Sequence, residues 1–121
     1  MNSQPTVILH DGVLEGRVGY SRKGIRFFSF QGIPYAKPPV GKLRFKAPEP
    51  ATPWDDVLNA TEEPPQCYQR HIFKYEEVGG QEDCLFLNVY TPQVNIMQFV
   101  KINNCRGDCI QPAIHHCYVL T

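Results

Sequence analysis

The sequence predicts a mostly antiparallel β structure threaded by long Pro-rich loops. Three observations predict it. Short β-branched and aromatic runs over residues 6–30 are broken by Gly-containing turns. Eleven Pro residues are spread along the chain, which leaves little room for long helices. An apolar run over residues 84–91 stops at Pro92, as a buried strand would.

Thr6-Val7-Ile8-Leu9-His10 is the first strand, and it halts at Asp11-Gly12. An Asp-Gly pair between apolar runs signals a hairpin, because both residues tolerate positive φ. Val13 to Tyr20 reads as the second strand and Ser21-Arg22-Lys23-Gly24 as a second turn. Ile25-Arg26-Phe27-Phe28-Ser29-Phe30 is the third strand. Together they make a small antiparallel meander.

Gly32 to Gly41, with Pro34, Pro38 and Pro39, reads as neither helix nor central strand. The loop continues through Pro48, Pro50 and Pro53, and Phe45 and Trp54 predict that it is packed down. Residues 57–80 signal only breaks, at Glu62-Glu63-Pro64-Pro65 and Gly79-Gly80. The run Cys84 to Thr91 is apolar on both faces, which suits a strand inside a sheet. Without neighbours its edge would be unpaired, so the isolated chain is expected to aggregate or to be partly disordered. From Gln93 the pattern changes, and residues 94–121 read as a divergent, poorly ordered tail without strand rhythm.

A chain of 121 residues makes one domain at most. Twelve basic and twelve acidic residues balance, so no basic field points to nucleic acid or anionic lipid. No apolar stretch approaches the length of a membrane span, about 20 residues. Val7-Ile8-Leu9 is too short for a signal-peptide core. The chain as written is therefore cytoplasmic, or secreted if a leader is missing.

Three stretches carry a resemblance: Phe30-Gln31-Gly32-Ile33-Pro34-Tyr35-Ala36-Lys37-Pro38-Pro39-Val40-Gly41-Lys42-Leu43-Arg44-Phe45, then Ala47-Pro48 with Trp54, then Glu82-Asp83-Cys84-Leu85-Phe86-Leu87-Asn88-Val89-Tyr90-Thr91-Pro92. In this order and spacing they resemble the type-B carboxylesterase and cholinesterase family of α/β hydrolases, in wording most like insect esterases. The resemblance covers residues 6–93. It implies an N-terminal part of that fold: a small antiparallel sheet leading into a central sheet that this chain leaves incomplete. It also implies carboxylic esters as substrates of a full-length parent, with no cofactor.

Ester hydrolysis in such a family needs a Ser nucleophile in a Gly-x-Ser-x-Gly elbow, a His base, an acidic partner and an oxyanion loop. The sequence holds Ser3, Ser21 and Ser29, none between glycines at that spacing. No Gly-rich loop follows Pro92, and His10, His71, His115 and His116 do not match the family's catalytic position. No residue here is assigned a catalytic role, and the chain alone is expected to be inactive.

The resemblance implies structural roles for other residues. Cys67 and Cys84 match a pair the family joins as a disulfide; the alternative is two reduced thiols in a cytosolic protein. Arg44 and Glu82 match a salt-bridged pair at the base of that loop; as a buried bidentate pair they would fix its position, and the alternative is two surface charges. Tyr68, Phe73 and Tyr75 would line a pocket in a complete enzyme or else cover core.

Three further readings come from the residues themselves. Asn59-Ala60-Thr61 is an N-glycosylation sequon. Cys105, Cys109, His115 and Cys117 are zinc-ligand types, but their spacing fits no common finger. Val94-Asn95 can be encoded by an intron-like GTAAAT, so residues 94–121 could be intron read to its first stop. Two other functions compete with the esterase fragment: a non-catalytic adhesion-type family member, and a small regulator with a metal-binding tail.

Overall fold

A computed structural model describes residues 4–71, 73, 74 and 76–92, together with the strand backbone of 116–118. Among these residues the strands are β1 (Thr6–Ile8), β2 (Val13–Glu15), β3 (Arg17–Tyr20), β4 (Arg26–Pro34), β5 (Val57–Asn59), β6 (Gln69–Arg70), β7 (Val78–Gly79), β8 (Phe86–Thr91) and β9 (His116–Tyr118). A short 3-10 turn at Gly41–Leu43 is the one helical element described.

The Asp11-Gly12 hairpin forms as its sequence predicts. β1 and β2 pair antiparallel, with Val7 opposite Leu14, and Gly12 takes a φ of 148°. The side-chain period of two turns Val7 and Leu14 into the core and leaves Ile8 outside. Trp54 locks the turn from above. Its backbone N–H donates to the Asp11 carbonyl at 2.8 Å, and its indole Nε1 donates to the Val13 carbonyl at 3.0 Å. The indole occupies the space where a Cβ on Gly12 would stand.

The expected meander is divided between two sheets. Val13 to Tyr20 is interrupted at buried Gly16, where a Cβ would lie 2.5 Å from the Ser29 carbonyl oxygen and 2.6 Å from the Phe30 ring. A bare Cα lets the chain pass this close while leaving one sheet for the other. β2 stays with β1 and gains β5 as a parallel neighbour, Leu14 opposite Leu58. β3 pairs with β4 in a sheet of order β3-β4-β8-β9.

β4 runs past the third strand expected at residues 25–30. It pairs antiparallel with β8 from Phe28↔Thr91 to Pro34↔Phe86, with a register shift between Phe30 and Ile33. Gly32, at φ 73°, sits in this bulge and its N–H donates to Asn88 Oδ1 at 2.9 Å. The bulge absorbs the irregular backbone, and Pro34, as the last residue of the strand, interrupts no interior ladder bond. Residues 32–34 are therefore strand, contrary to the reading of Gly32 onward as loop.

Val7 and Leu14 from the first sheet meet Phe30, Ile33, Leu87 and Val89 from the second in one buried cluster. β8 lies inside its sheet, as its two-sided apolarity predicts. β9 lies parallel against it, Val89 opposite Cys117, so the edge expected to be open is covered and three tail residues are strand. The rest of the divergent tail, residues 94–115 and 119–121, lies outside the described residues. Among the described residues no helix is long and apolar enough to cross a membrane.

Candidate functional site

Between the second sheet and the Pro-rich segment stands a loop closed by a disulfide between Cys67 and Cys84, whose Cα atoms are 5.0 Å apart. β6 and β7 form a two-stranded hairpin inside it, Arg70 opposite Val78. The loop doubles back at Gly80, whose φ of 116° suits glycine. A Cβ at that position would collide with the Cys67 carbonyl. The Gln81 N–H donates to the Gln66 carbonyl at 2.8 Å, and the backbone of Cys67 bridges Gln81 in parallel. The neck of the loop is thus held by one covalent bond and by main-chain pairing. Cys84 lies two residues before β8, so the neck is tied directly to the second sheet.

Arg44 and Glu82 meet across this neck at 3.6 Å, Nη2 to Oε1, with side chains 58 % and 48 % exposed. The contact is single, longer than a hydrogen bond, and solvated, in contrast to the buried bidentate pair expected. The guanidinium of Arg44 also lies over the Phe45 ring, 5.2 Å from its centroid. Phe45 has a φ of 61° and is 96 % exposed, so it is not packed down as its sequence setting suggested. Trp54 alone of the two aromatic anchors fastens the loop.

Tyr68 and Phe73 project from the hairpin at 62 % and 88 % exposure, so they do not cover core. Tyr75 lies outside the described residues. His71 Nδ1 accepts from the Phe73 N–H at 3.2 Å, a local loop contact. His10 lies 3.1 Å from Asp11 on the open surface. Ser21 Oγ accepts from the Ile25 N–H, and buried Ser29 Oγ has no hydrogen-bond partner among the described residues. No Ser is hydrogen-bonded to a His among them, so no nucleophile–base pair is assembled there.

Asn59 ends β5 on the exposed side of its sheet, and its Oδ1 accepts from the Thr61 hydroxyl and N–H. Cys105, Cys109 and His115 lie outside the described residues, and of Cys117 only its place in β9 is described. Among the described residues no group of three His, Cys, Asp or Glu side chains could hold a metal ion. The sequence singled out none of the contacts made by Gly80, Gly32 or Asn88. Gly79-Gly80 signalled a break, but the close approach to Cys67 becomes visible only in three dimensions.

The disulfide-closed loop stands between a Pro-rich segment and a strand with a buried interior, and the profile of the Carboxylesterase family matches residues 3–105. The chain belongs to the carboxylesterase family, which places it among α/β hydrolases. It is similar to a juvenile hormone esterase of Tribolium castaneum, 48 % identical over 101 residues that cover 83 % of this chain and 17 % of that protein. It is also similar to Esterase E4 of Myzus persicae, 40 % identical over 114 residues that cover 94 % of this chain and 20 % of that protein. Acetylcholinesterase 1 of Caenorhabditis elegans is 45 % identical over 95 residues, 69 % of this chain and 15 % of that one. The chain spans a fifth or less of the length of these relatives.

The family match does not stop at residue 93, where the motif-based resemblance ended. It runs to residue 105, and the Esterase E4 match takes in 94 % of the chain.

Proposed function

We propose that this chain is the N-terminal part of a serine carboxylesterase, a carboxylic ester hydrolase, and that these 121 residues hydrolyse no ester by themselves. The observation that carries the proposal is a family frame without its chemistry. The disulfide loop and the strand at residues 86–91 stand in a chain belonging to the carboxylesterase family. Yet neither Ser21 nor Ser29 has a His partner among the described residues, and no Gly-x-Ser-x-Gly occurs in the sequence. Hydrolysis needs a nucleophile, a base to take its proton and donors for the oxyanion, and losing any one of these lowers the rate by orders of magnitude.

In this reading the antiparallel strands are the entrance to a larger, mostly parallel sheet, and β8 is one of its inner strands. Residues 1–93 form the esterase part, and 94–121 are the divergent part, into which the family match reaches as far as residue 105. The disulfide loop borders the substrate entrance, where exposed Tyr68 and Phe73 would meet the acyl or alcohol group of a carboxylic ester. The test is hydrolysis of a short-chain nitrophenyl ester by the purified chain and by a longer protein from the same reading frame carrying the elbow. Turnover by the longer protein and none above buffer by the chain is the expected pair of results. Turnover by the chain above buffer that is lost on replacing Ser3, Ser21 or Ser29 would overturn the inactive-part reading.

A further inference from the structure

The hairpin of β3 and β4 begins in a segment, residues 16–30, that holds Arg17, Arg22, Lys23 and Arg26 but neither Asp nor Glu. The charge balance of the whole chain is therefore not kept locally. All of these cations are exposed, and none forms an ion pair among the described residues. The other basic segment, Lys42 to Lys46, has Glu82 beside Arg44.

The end of the hairpin stands clear of its sheet. β4 pairs with β8 no nearer to the turn than Phe28↔Thr91, so the Tyr20↔Arg26 pair and the turn beyond it reach past that partner. The turn has a defined frame. The Ser21 N–H donates to the Ile25 carbonyl at 2.9 Å, and the Gly24 N–H donates to the Ser21 carbonyl at 2.9 Å. The Ile25 N–H donates to Ser21 Oγ at 3.1 Å, and Gly24 takes a φ of 74°, which suits glycine. Arg22 and Lys23 thus stand side by side at the extreme of a fixed turn. Arg26 is steadied by its guanidinium lying 4.9 Å from the Phe28 ring centroid. Tyr20, opposite Arg26, is 69 % exposed and offers a flat ring beside these charges.

We propose that the end of this hairpin binds a sulfated polysaccharide. Arg22, Lys23 and Arg26 meet its sulfate groups, and the Tyr20 ring packs on a sugar face. Guanidinium groups match the oxygens of such anions in bidentate fashion. The order of residues does not suit a bilayer. Tyr20 and Ile25 fall on opposite faces by the strand period, and the cations lead, whereas insertion needs apolar side chains in front. The Cys67–Cys84 disulfide belongs to an oxidising compartment, where sulfated polysaccharide rather than nucleic acid is the polyanion met. The proposal stands whether or not the longer parent is an esterase.

The test measures the Kd of the full 121-residue chain for heparin over a series of salt concentrations. Desulfated heparin, phosphatidylserine vesicles and duplex DNA are compared at one salt. Tighter binding to heparin than to any of these is expected. Arg22→Ala with Lys23→Ala should weaken heparin binding roughly tenfold and lower the slope of log Kd against log salt by about two. Lys42→Ala with Lys46→Ala removes the same charge elsewhere and should leave binding nearly unchanged. The exchange Arg22→Lys with Lys23→Arg keeps charge and turn and should bind as the parent does. Equal losses in the two alanine pairs would overturn the site. Equal or tighter binding to vesicles, DNA or desulfated heparin would overturn the choice of partner, and absence of heparin binding would overturn both.

Discussion

Gly80 lays its bare Cα against the carbonyl oxygen of Cys67, closer than any side-chain carbon could stand. Two residues 13 positions apart are thereby pressed together at the neck of the disulfide loop, with Cys84 just beyond. The relationship makes the loop sensitive to one methyl group. Gly80→Ala would force a side chain into a φ of 116° and into backbone that cannot swing aside. The expected cost is about 1–3 kcal/mol. Denaturant unfolding of the variant checks it, and reduction of the disulfide by thiol should be faster than in the parent chain.

Opening the bridge itself should cost more. For a cross-link closing a loop of this size, the chain-entropy estimate is about 3 kcal/mol. Cys67→Ser with Cys84→Ser should therefore lower the unfolding midpoint, and thiol reduction of the unaltered chain should lower it by a similar amount. Comparing the two midpoints checks that the effect comes from the cross-link and not from the serines.

Arg44 and Glu82 should contribute far less. Their contact is single, 3.6 Å long and more than two-fifths exposed on each side. Exposed ion pairs of this kind are worth about 0–1 kcal/mol and weaken with salt. A double-mutant cycle with Arg44→Ala and Glu82→Ala should return a coupling at the low end of that range.

Trp54 should matter more than any ion pair. Its indole N–H holds the Val13 carbonyl, and its ring covers Gly12. Trp54→Phe keeps an aromatic ring but removes the donor, a loss of about 1 kcal/mol. Trp54→Ala also empties the space over the turn and should cost about 3 kcal/mol or more. Denaturant midpoints of the two variants, with equal slopes, check the order.

Much of the fold was legible because it rests on local chemistry. Asp11-Gly12 marks a turn through backbone freedom at Gly12, and the run Cys84 to Thr91 read as inner strand because it is largely apolar on both faces. What escaped depends on distant partners. Gly16 lies within an apparently continuous strand, and only Phe30 and Ser29 pressing on it show why the chain changes sheets. Val57–Asn59 is three residues long and finds its parallel partner in β2, more than 40 positions earlier, so no periodicity announces it. The disulfide partners were legible through the family resemblance. The exposure of Arg44, Glu82 and Phe45 was not, because residue type alone does not say what covers a side chain.

The central claim is that the chain carries the carboxylesterase frame without its nucleophile. Fluorophosphonate labelling tests it most directly, because the probe bonds covalently to an activated serine and little else. Exposure of the 121-residue chain to the probe, followed by intact mass measurement, should show no adduct, while a longer protein carrying the elbow should take up one. A stoichiometric adduct on Ser3, Ser21 or Ser29 of the chain alone would contradict the account.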